Sequence, residues 1–125
     1  MLLETKRYHG HETTTDLDEG IEYLKIDKKR VTGIVYMDGD YPHEINYKEG
    51  KKHGKSICWH SNGQRWAEGE YKDGQPDGMI RYWYENGVLR HEEKYENGNR
   101  IYKRCWEEDG SEIDSSDPNY KWLFE

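Results

Sequence analysis

The sequence has few of the residues that build a thick hydrophobic core. Only 32% of its 125 residues are hydrophobic, and Phe124 is the one phenylalanine. No apolar run reaches the ~20 residues of a membrane-spanning helix, and the first three residues lead into Glu4 and Lys6 rather than into a signal-peptide core. These absences exclude a helical membrane span, and we expect a cytoplasmic, soluble protein of one domain.

Tyrosine and tryptophan, by contrast, are abundant. A charged fraction of 36% would be typical of a disordered chain, but the sequence also holds 11 tyrosines and 5 tryptophans. Aromatic rings bury large areas and favour half-exposed, pleated surfaces. The composition therefore predicts a thin β-structure rather than a disordered coil or a thick globule.

An internal repeat organises the chain. The motif YKEG at 47–50 recurs as YKDG at 71–74 and as YENG at 95–98, so the spacing is 24 residues. The motif WHSNG at 59–63 recurs with the same spacing as WYENG at 83–87. The third unit is one residue shorter than the other two. A period between 20 and 50 residues indicates a repeat architecture.

The turns within the repeat predict its strands. Asn-Gly or Asp-Gly stands at 62–63, 73–74, 86–87, 97–98 and 109–110. These dipeptides accept positive φ at both central positions of a type I′ turn, which joins antiparallel strands. Two turns per unit imply two strands per unit. We therefore predict an all-β fold, an elongated array of antiparallel β-hairpins that forms one meander sheet.

A two-residue turn at 86–87 fixes a register that can be checked. It predicts an aromatic-aliphatic pair, a cation–π pair, a ring pair and an opposite-charge pair on successive rungs. The predicted pairs are Tyr84 with Leu89, Trp83 with Arg90, Tyr82 with His91, and Arg81 with Glu92.

Three parts follow along the chain. Residues 1–20 are predicted as a short strand over residues 2–8 and a connecting loop. Residues 21–113 are predicted as a degenerate first unit, two full units and a shortened last unit, in which Tyr102 stands near the position of Gly54 and Gly78. Those two glycines either provide a flat surface for a ring or adopt an unusual φ. Residues 114–125 form an acidic, aromatic tail, either a closing strand or a partner-binding end.

No constellation of catalytic residues is evident. Cys58 and His60 have no third member, and Glu92 and Glu93 alternate faces on a strand. His9 and His11 are interpreted as solvated, and no phosphate loop, zinc spacing or dinucleotide motif is present. The two cysteines, Cys58 and Cys105, would lie roughly 19 Å apart, too far for a disulfide. We expect neither an enzyme nor a bound metal or cofactor.

Charge is distributed unevenly. The net charge is −7, and seven acids against Lys121 give the residues after Trp106 a balance of −6. The basic clusters at 28–30 and 51–55 are interpreted as solvated edges, since an acidic protein is repelled by nucleic acid. Exposed aromatic residues next to this acidic end are candidates for binding a protein partner. The candidates are Trp59, Trp66, Trp83, Tyr84, Arg90, Trp106, Glu107, Glu108, Asp109, Glu112 and Trp122.

The repeats resemble a known family. GKKHG at 50–54, WHSNG and WYENG, with Glu68, Tyr71, Glu92-Glu93 and Tyr95, look like the variant MORN repeat of bacteria. Preceded by LKI at 24–26 and TGIVY at 32–36, they resemble YwqK-type antitoxins over about residues 21–113. The resemblance implies a hairpin array without catalytic residues that binds a cognate toxin and occludes its active surface.

Other functions remain open at this point. One alternative is a peripheral membrane or envelope-associated scaffold of the MORN type, which anionic lipid would attract through the basic clusters. Another is an accessory protein that binds single strands. A dimer formed by pairing of exposed edge strands is a further expectation.

Overall fold

The computed structural model describes residues 5–114, and these form an all-β structure. The prediction of an antiparallel hairpin array is confirmed. No helix in this part of the chain is long and apolar enough to cross a membrane. One 3₁₀ turn, Gly10–Glu12, follows the first strand. The strands are β1 (Arg7–His9), β2 (Thr13–Asp16), β3 (Ile21–Leu24), β4 (Gly33–Met37), β5 (His43–Lys48), β6 (Lys51–Trp59), β7 (Arg65–Lys72), β8 (Gln75–Trp83), β9 (Leu89–Glu96), β10 (Asn99–Trp106) and β11 (Glu112–Ile113).

Nine strands form one sheet in the order β1-β4-β5-β6-β7-β8-β9-β10-β11. From β4 onward each strand pairs with its successor, which is a meander. β1 adds to the outer edge of β4 in parallel. β2 and β3 form a separate two-stranded sheet, so residues 13–16, predicted as loop, are a strand instead. Three consecutive threonines favour it because β-branched side chains suit extended backbone.

Type I′ turns join the strands at one end of the sheet only. At 49–50, 73–74 and 97–98 both central residues have positive φ, near 50° and 80°. At 62–63, 86–87 and 109–110 only the glycine has positive φ, so the predicted type I′ turn is wrong there. In each of those turns the Asn or Asp side chain accepts a hydrogen bond from the amide two residues on. That bond favours a longer turn.

The register beside residues 86–87 matches half of the prediction. Arg81 pairs with Glu92 and Tyr82 with His91, as predicted. Trp83 pairs with Leu89 rather than with Arg90, because the longer turn contains an extra residue. The predicted pairs Trp83–Arg90 and Tyr84–Leu89 are therefore wrong.

A β-bulge after each of the turns at 62–63 and 86–87 compensates for the extra turn residue and restores the predicted register. Arg90 occupies the bulge between β8 and β9, and Trp66 occupies the equivalent bulge between β6 and β7. The Arg90 guanidinium lies 5.8 Å from the centroid of the Tyr84 ring, so the cation–π contact forms with the neighbouring aromatic residue. In the last unit the bulge is missing, and Ile113 pairs directly with Cys105.

A second irregularity explains the shorter last unit. Gly54 and Gly78 each lie in a bulge in which three residues of one strand oppose one residue of its partner, and they have φ of 92° and 113°. A Cβ atom on either would meet no aromatic ring, so unusual φ is the reason for these glycines. In the third unit the bulge shrinks to one residue, Ile101, and the glycine is absent.

The two faces of the sheet differ. One face carries a row of paired residues, all of them charged except Ile57. The row is Glu44, Ile57, Glu68, Arg81, Glu92 and Arg104. The other face carries Tyr47, Tyr71 and Tyr95 at the repeat spacing, with Ile45 and Ile80 between them. Within residues 5–114 no second layer of strands covers most of the sheet, and most of its side chains are half-exposed.

The buried side chains concentrate at the N-terminal end. Among residues 5–114 the buried hydrophobic residues are Ile21, Val31, Val35, Ile80 and Cys105. The first three lie where the β2–β3 hairpin packs against the first strands of the sheet. Cys58 is half-buried, and it is not joined to Cys105 by a disulfide, as expected. The predictions for the tail after residue 114, Trp122 included, lie outside the described residues.

The β2–β3 hairpin contacts the array at Gly50. A Cβ atom at Gly50 would lie 2.3 Å from Cγ2 of Ile21 and 2.9 Å from the Glu22 carbonyl. The Glu22 amide donates to the Gly50 carbonyl at 2.8 Å. This close approach requires a residue without a side chain, so Gly50 is the point at which the hairpin docks.

Gly50→Ala is therefore expected to destabilise the protein more than Gly63→Ala. Both glycines have similar φ, 80° and 87°, but a Cβ at Gly63 would have open space around it. The shared cost of φ is about 1 kcal/mol, and overpacking at Gly50 adds about 1–3 kcal/mol. Urea unfolding of both variants measures the difference. Equal losses of unfolding free energy would contradict the docking at Gly50.

Glu49→Asn is expected to stabilise the protein. Glu49 has φ 50° at the first central position of its turn, where the third unit uses Asn97 at φ 49°. Asparagine tolerates this conformation better than glutamate, so we expect a gain of about 0.5 kcal/mol in unfolding free energy. The reverse change, Asn97→Glu, is the matched control and should lose a similar amount. The same urea titrations report both, and a loss from Glu49→Asn would refute the assignment.

Candidate partner-binding groove

The long turns at one end of the sheet are aligned by hydrogen bonds between successive units. The His60 Nε2 atom lies 2.9 Å from the Trp83 carbonyl oxygen. The Tyr84 hydroxyl, 24 residues further along, donates to the Trp106 carbonyl at 2.8 Å. The same position in each unit thus binds the backbone of the next unit, and the turns form a continuous edge.

A ladder of asparagines reinforces this alignment. The Asn62 amide donates to the Glu85 carbonyl at 2.9 Å, and the Asn86 amide donates to the Glu108 carbonyl at 3.1 Å. The last turn has Asp109 at this position, where its carboxylate accepts from the Ser111 amide at 2.8 Å. The Ser111 hydroxyl also donates to this carboxylate. The bond from the hydroxyl, the largest cause, and the bond from the Ser111 amide lower the pKa of Asp109. Because a carboxylate has no amide donor, the asparagine ladder ends at this turn within residues 5–114.

A groove of about 380 Å³ opens between the turn at 60–64 and the turn at 84–88, and Glu108 of the following turn also lines it. We call it the aromatic groove. Its lining residues come from β7, β8 and β9 and from the turns that flank them. They are His60, Trp66, Trp83, Tyr84, Glu85, Asn86, Arg90 and Glu108.

The two bulges shape the aromatic groove. Trp66 is 41% exposed and makes an edge contact with the His60 ring at 6.4 Å between centroids. Arg90, the equivalent bulge residue, lies over the Tyr84 ring. A bulge re-aims a side chain locally, so the same irregularity that shifts the register also supplies a large side chain to the groove in each unit.

Five residues predicted from the sequence meet in this groove. They provide two indoles, a phenol, a guanidinium and a carboxylate. The five residues are Trp66, Trp83, Tyr84, Arg90 and Glu108. In the sequence these candidates are spread over the array, and in the fold the 24-residue repeat places them in one groove. Glu107 and Asp109 flank Glu108 in the next turn, and both are exposed.

The other predicted residues lie elsewhere. Trp59 pairs with Arg65 in the preceding unit and does not line the groove. Trp106 contacts Tyr84 through its carbonyl, while its ring lies under Arg104 at 5.2 Å. Glu112 accepts two hydrogen bonds from Arg104, at 2.9 and 3.0 Å, on the charged face.

Three groove residues are absent from the sequence prediction. The sequence predicts a turn at Asn86 beside Glu85, and it offers His60 only as a neighbour of Cys58, but all three residues line the groove. Their signal in the sequence is the 24-residue spacing, because His60 precedes Tyr84 by that distance and Asn62 precedes Asn86 likewise. Two units that differ at equivalent positions build one groove between them.

The electrostatics of the groove are mixed. Glu85 and Glu108 contribute two carboxylates, and Arg90 contributes one cation. Burial is the largest cause that raises the pKa of Tyr84, and the nearby glutamates raise it further while Arg90 lowers it. The phenol is therefore neutral at pH 7. Its hydroxyl group donates to the Trp106 carbonyl, and its ring contacts the Arg90 guanidinium.

A polar cluster lies on the tyrosine-bearing face of the sheet. The Tyr82 and His91 rings stack at 4.1 Å, and the Tyr95 hydroxyl donates to Glu93 at 2.6 Å. Burial and then this bond raise the pKa of Tyr95 to about 12. Glu92 lies on the opposite face, where it accepts from Arg81 at 2.8 Å, which confirms that the two glutamates are separated.

The described residues form no group of three or more side chains of His, Cys, Asp or Glu that could hold a metal ion. His9 and His11 instead stack on each other at 4.4 Å. The His9 Nδ1 atom accepts from the His11 amide at 3.1 Å. One nitrogen of His9 is thereby used within the 3₁₀ turn.

His91 is expected to make stability depend on pH. Burial is the largest cause that lowers the pKa of His91 below its ordinary value of 6.5, against an opposing effect of Glu93. As pH falls, the unfolded chain therefore binds a proton before the native chain does, so stability present above about pH 6.5 is lost below it. His91→Gln should lose less unfolding free energy than wild type between pH 7.5 and 5. Parallel losses in urea titrations of the two proteins would exclude this role.

No protein-family model matches the chain, and no curated protein or solved structure shows significant similarity to it. The residues of the chain therefore carry the functional proposal by themselves. Their most distinctive arrangement is the aromatic groove, which combines two indoles, a cation–π pair and two carboxylates at the regular edge of a repeat array.

Proposed function

We propose that this chain is an antitoxin or immunity protein that binds a cognate bacterial toxin and occludes its active surface, with the aromatic groove as the centre of the interface. The observation that carries the proposal is the convergence of Trp66, Trp83, Tyr84 and Arg90 in one groove. Tryptophan, tyrosine and arginine are the residue types that dominate binding energy at protein interfaces.

The groove is held in shape before any partner binds. Tyr84 is fixed by its bond to the Trp106 carbonyl, and Arg90 is held over the Tyr84 ring. His60 is held against the Trp83 carbonyl. Side chains that are already ordered lose less entropy on association, which favours affinity. Trp66, at 41% exposed, then supplies apolar area that a partner can cover.

The charge around the groove indicates the kind of partner. Glu107, Glu108 and Asp109 are exposed in the turn that borders it. The sequence after Trp106 has a balance of −6. A negative patch speeds association with a positive one and fixes the orientation of the complex. A basic toxin, such as one that processes nucleic acid, fits this surface.

Co-expression tests the proposal directly. The gene next to this one in its native host is expressed alone and together with the wild-type chain. We expect toxicity alone and growth on co-expression, and affinity capture with this chain as bait should recover the toxin. Continued lethality on co-expression, with no toxin-like protein captured, would reject the function.

Trp66→Ala is expected to weaken the complex by about 30-fold, because truncating a central aromatic anchor costs about 2 kcal/mol. Ile101→Ala is the matched control, since Ile101 is 52% exposed but lies near the opposite end of the strands. Isothermal titration calorimetry with the captured toxin measures both affinities. If both variants bind like wild type while the wild-type chain still neutralises the toxin, the interface lies outside the aromatic groove.

A further inference from the structure

A second concave site lies where the N-terminal segment meets the first strands of the sheet. It has a volume of about 600 Å³, and three basic side chains, those of Lys6, Lys29 and Arg30, line it. We call it the basic cavity. Its volume is within the ~300–1,000 Å³ range of small-molecule sites. It involves β1, β3, β4 and β5 and shares no lining residue with the aromatic groove.

The fold brings the three cations together from separate parts of the chain. The Ile34 amide donates to the Lys6 carbonyl at 2.8 Å, and this bond holds the start of β1 against β4. Lys29 and Arg30 follow β3, where the Leu24 amide donates to the Lys29 carbonyl at 2.8 Å. Gly33 allows the approach, because a Cβ there would lie 2.4 Å from the Lys6 carbonyl.

These cations are not neutralised within the part of the chain that the structure describes. None of Lys6, Lys29 and Arg30 forms an ion pair or a cation–π contact there. The other arginines of the described chain do: Arg7, Arg65, Arg81, Arg100 and Arg104 pair with carboxylates, and Arg90 lies over Tyr84. Among the described arginines, Arg30 is thus the one with neither contact, and two lysines without an ion pair join it at this cavity in a chain of net charge −7.

The one carboxylate in the lining does not compensate for them. Asp27 accepts a hydrogen bond from the Lys29 amide at 3.0 Å through Oδ1, which stabilises the turn after β3. The lining also contains the phenols of Tyr8 and Tyr47, whose hydroxyl groups can donate. Burial, with a smaller effect of Glu22, raises the pKa of Tyr47 to about 12, so its hydroxyl keeps its proton at neutral pH.

We propose that the basic cavity binds a soluble phosphate-bearing small molecule, with Lys6, Lys29 and Arg30 neutralising its phosphate oxygens. A phosphate group carries up to two negative charges and three acceptor oxygens, which suits an arginine fork and two ammonium groups better than a single carboxylate does. The site is independent of the proposed binding of a toxin at the aromatic groove.

The test uses the full chain and inorganic pyrophosphate in isothermal titration calorimetry. We expect saturable binding with a Kd below about 1 mM. The double variant Lys29→Gln/Arg30→Gln should weaken binding about tenfold or more, since two charge-assisted contacts are lost. The control is Lys51→Gln/Lys72→Gln, which removes the same charge from exposed residues outside the cavity, and it should keep wild-type affinity.

Three outcomes would overturn the site: no saturable binding up to 10 mM pyrophosphate, undiminished binding by the Lys29→Gln/Arg30→Gln variant, or equal losses in the control. Since both cavity residues are exposed, the variant should unfold in urea as wild type does. If it does not, Lys6→Gln repeats the measurement with a single change. Co-sedimentation with phosphatidylcholine vesicles containing phosphatidic acid distinguishes a lipid headgroup, and binding to these vesicles but not to pyrophosphate would refute a soluble ligand.

Discussion

The bond from each unit to the next is the interaction on which this structure depends. A single-layer sheet buries little, and within residues 5–114 only five hydrophobic side chains are buried. Stability must therefore come from strand pairing, from turns that match the strand twist, and from contacts between neighbouring units. At one end, Tyr84 and the asparagines bind the carbonyls of the following unit. At the other end of the strands, the Gly74 amide donates to the Lys52 carbonyl and the Gly98 amide donates to the Pro76 carbonyl.

Periodicity made the architecture predictable, because a fixed spacing of turns determines strand number and order. The turn type was not predictable at 86–87, since the same Asn-Gly dipeptide suits two conformations. The conformation at 86–87 depends on two hydrogen bonds of the Asn86 side chain. Its amide group donates to the Glu108 carbonyl in the next unit, and its oxygen accepts from the Val88 amide at 3.0 Å. Because of the resulting bulge, Arg90 contacts the Tyr84 ring and not the predicted partner, Trp83. Local sequence located the hairpin, and contact between units decided its register.

The N-terminal segment and the two concave sites were harder to foresee for a different reason. β1 has three residues and pairs in parallel with a strand that starts 24 positions after it ends, so no local pattern marks it. The basic cavity is likewise lined by residues that are far apart in sequence, because the β2–β3 hairpin separates Lys6 from Arg30. The aromatic groove was half predictable, because its aromatic residues follow the repeat. His60 and Glu85 were missed since a turn residue and a groove residue look the same in sequence.

Differences between copies account for what the array can recognise. A perfect repeat would present the same groove at every junction, with equal affinity for a partner along its length. Here the bulge residue changes from Trp66 to Arg90, and the last unit has no bulge, so Ile113 pairs with Cys105 in the sheet. The groove between the turns at 60–64 and 84–88 therefore has one indole wall, Trp66, and one cationic wall, Arg90. Since the adjoining turn holds Glu107, Glu108 and Asp109 together, the array has a direction, and this asymmetry would fix the orientation of the partner proposed above.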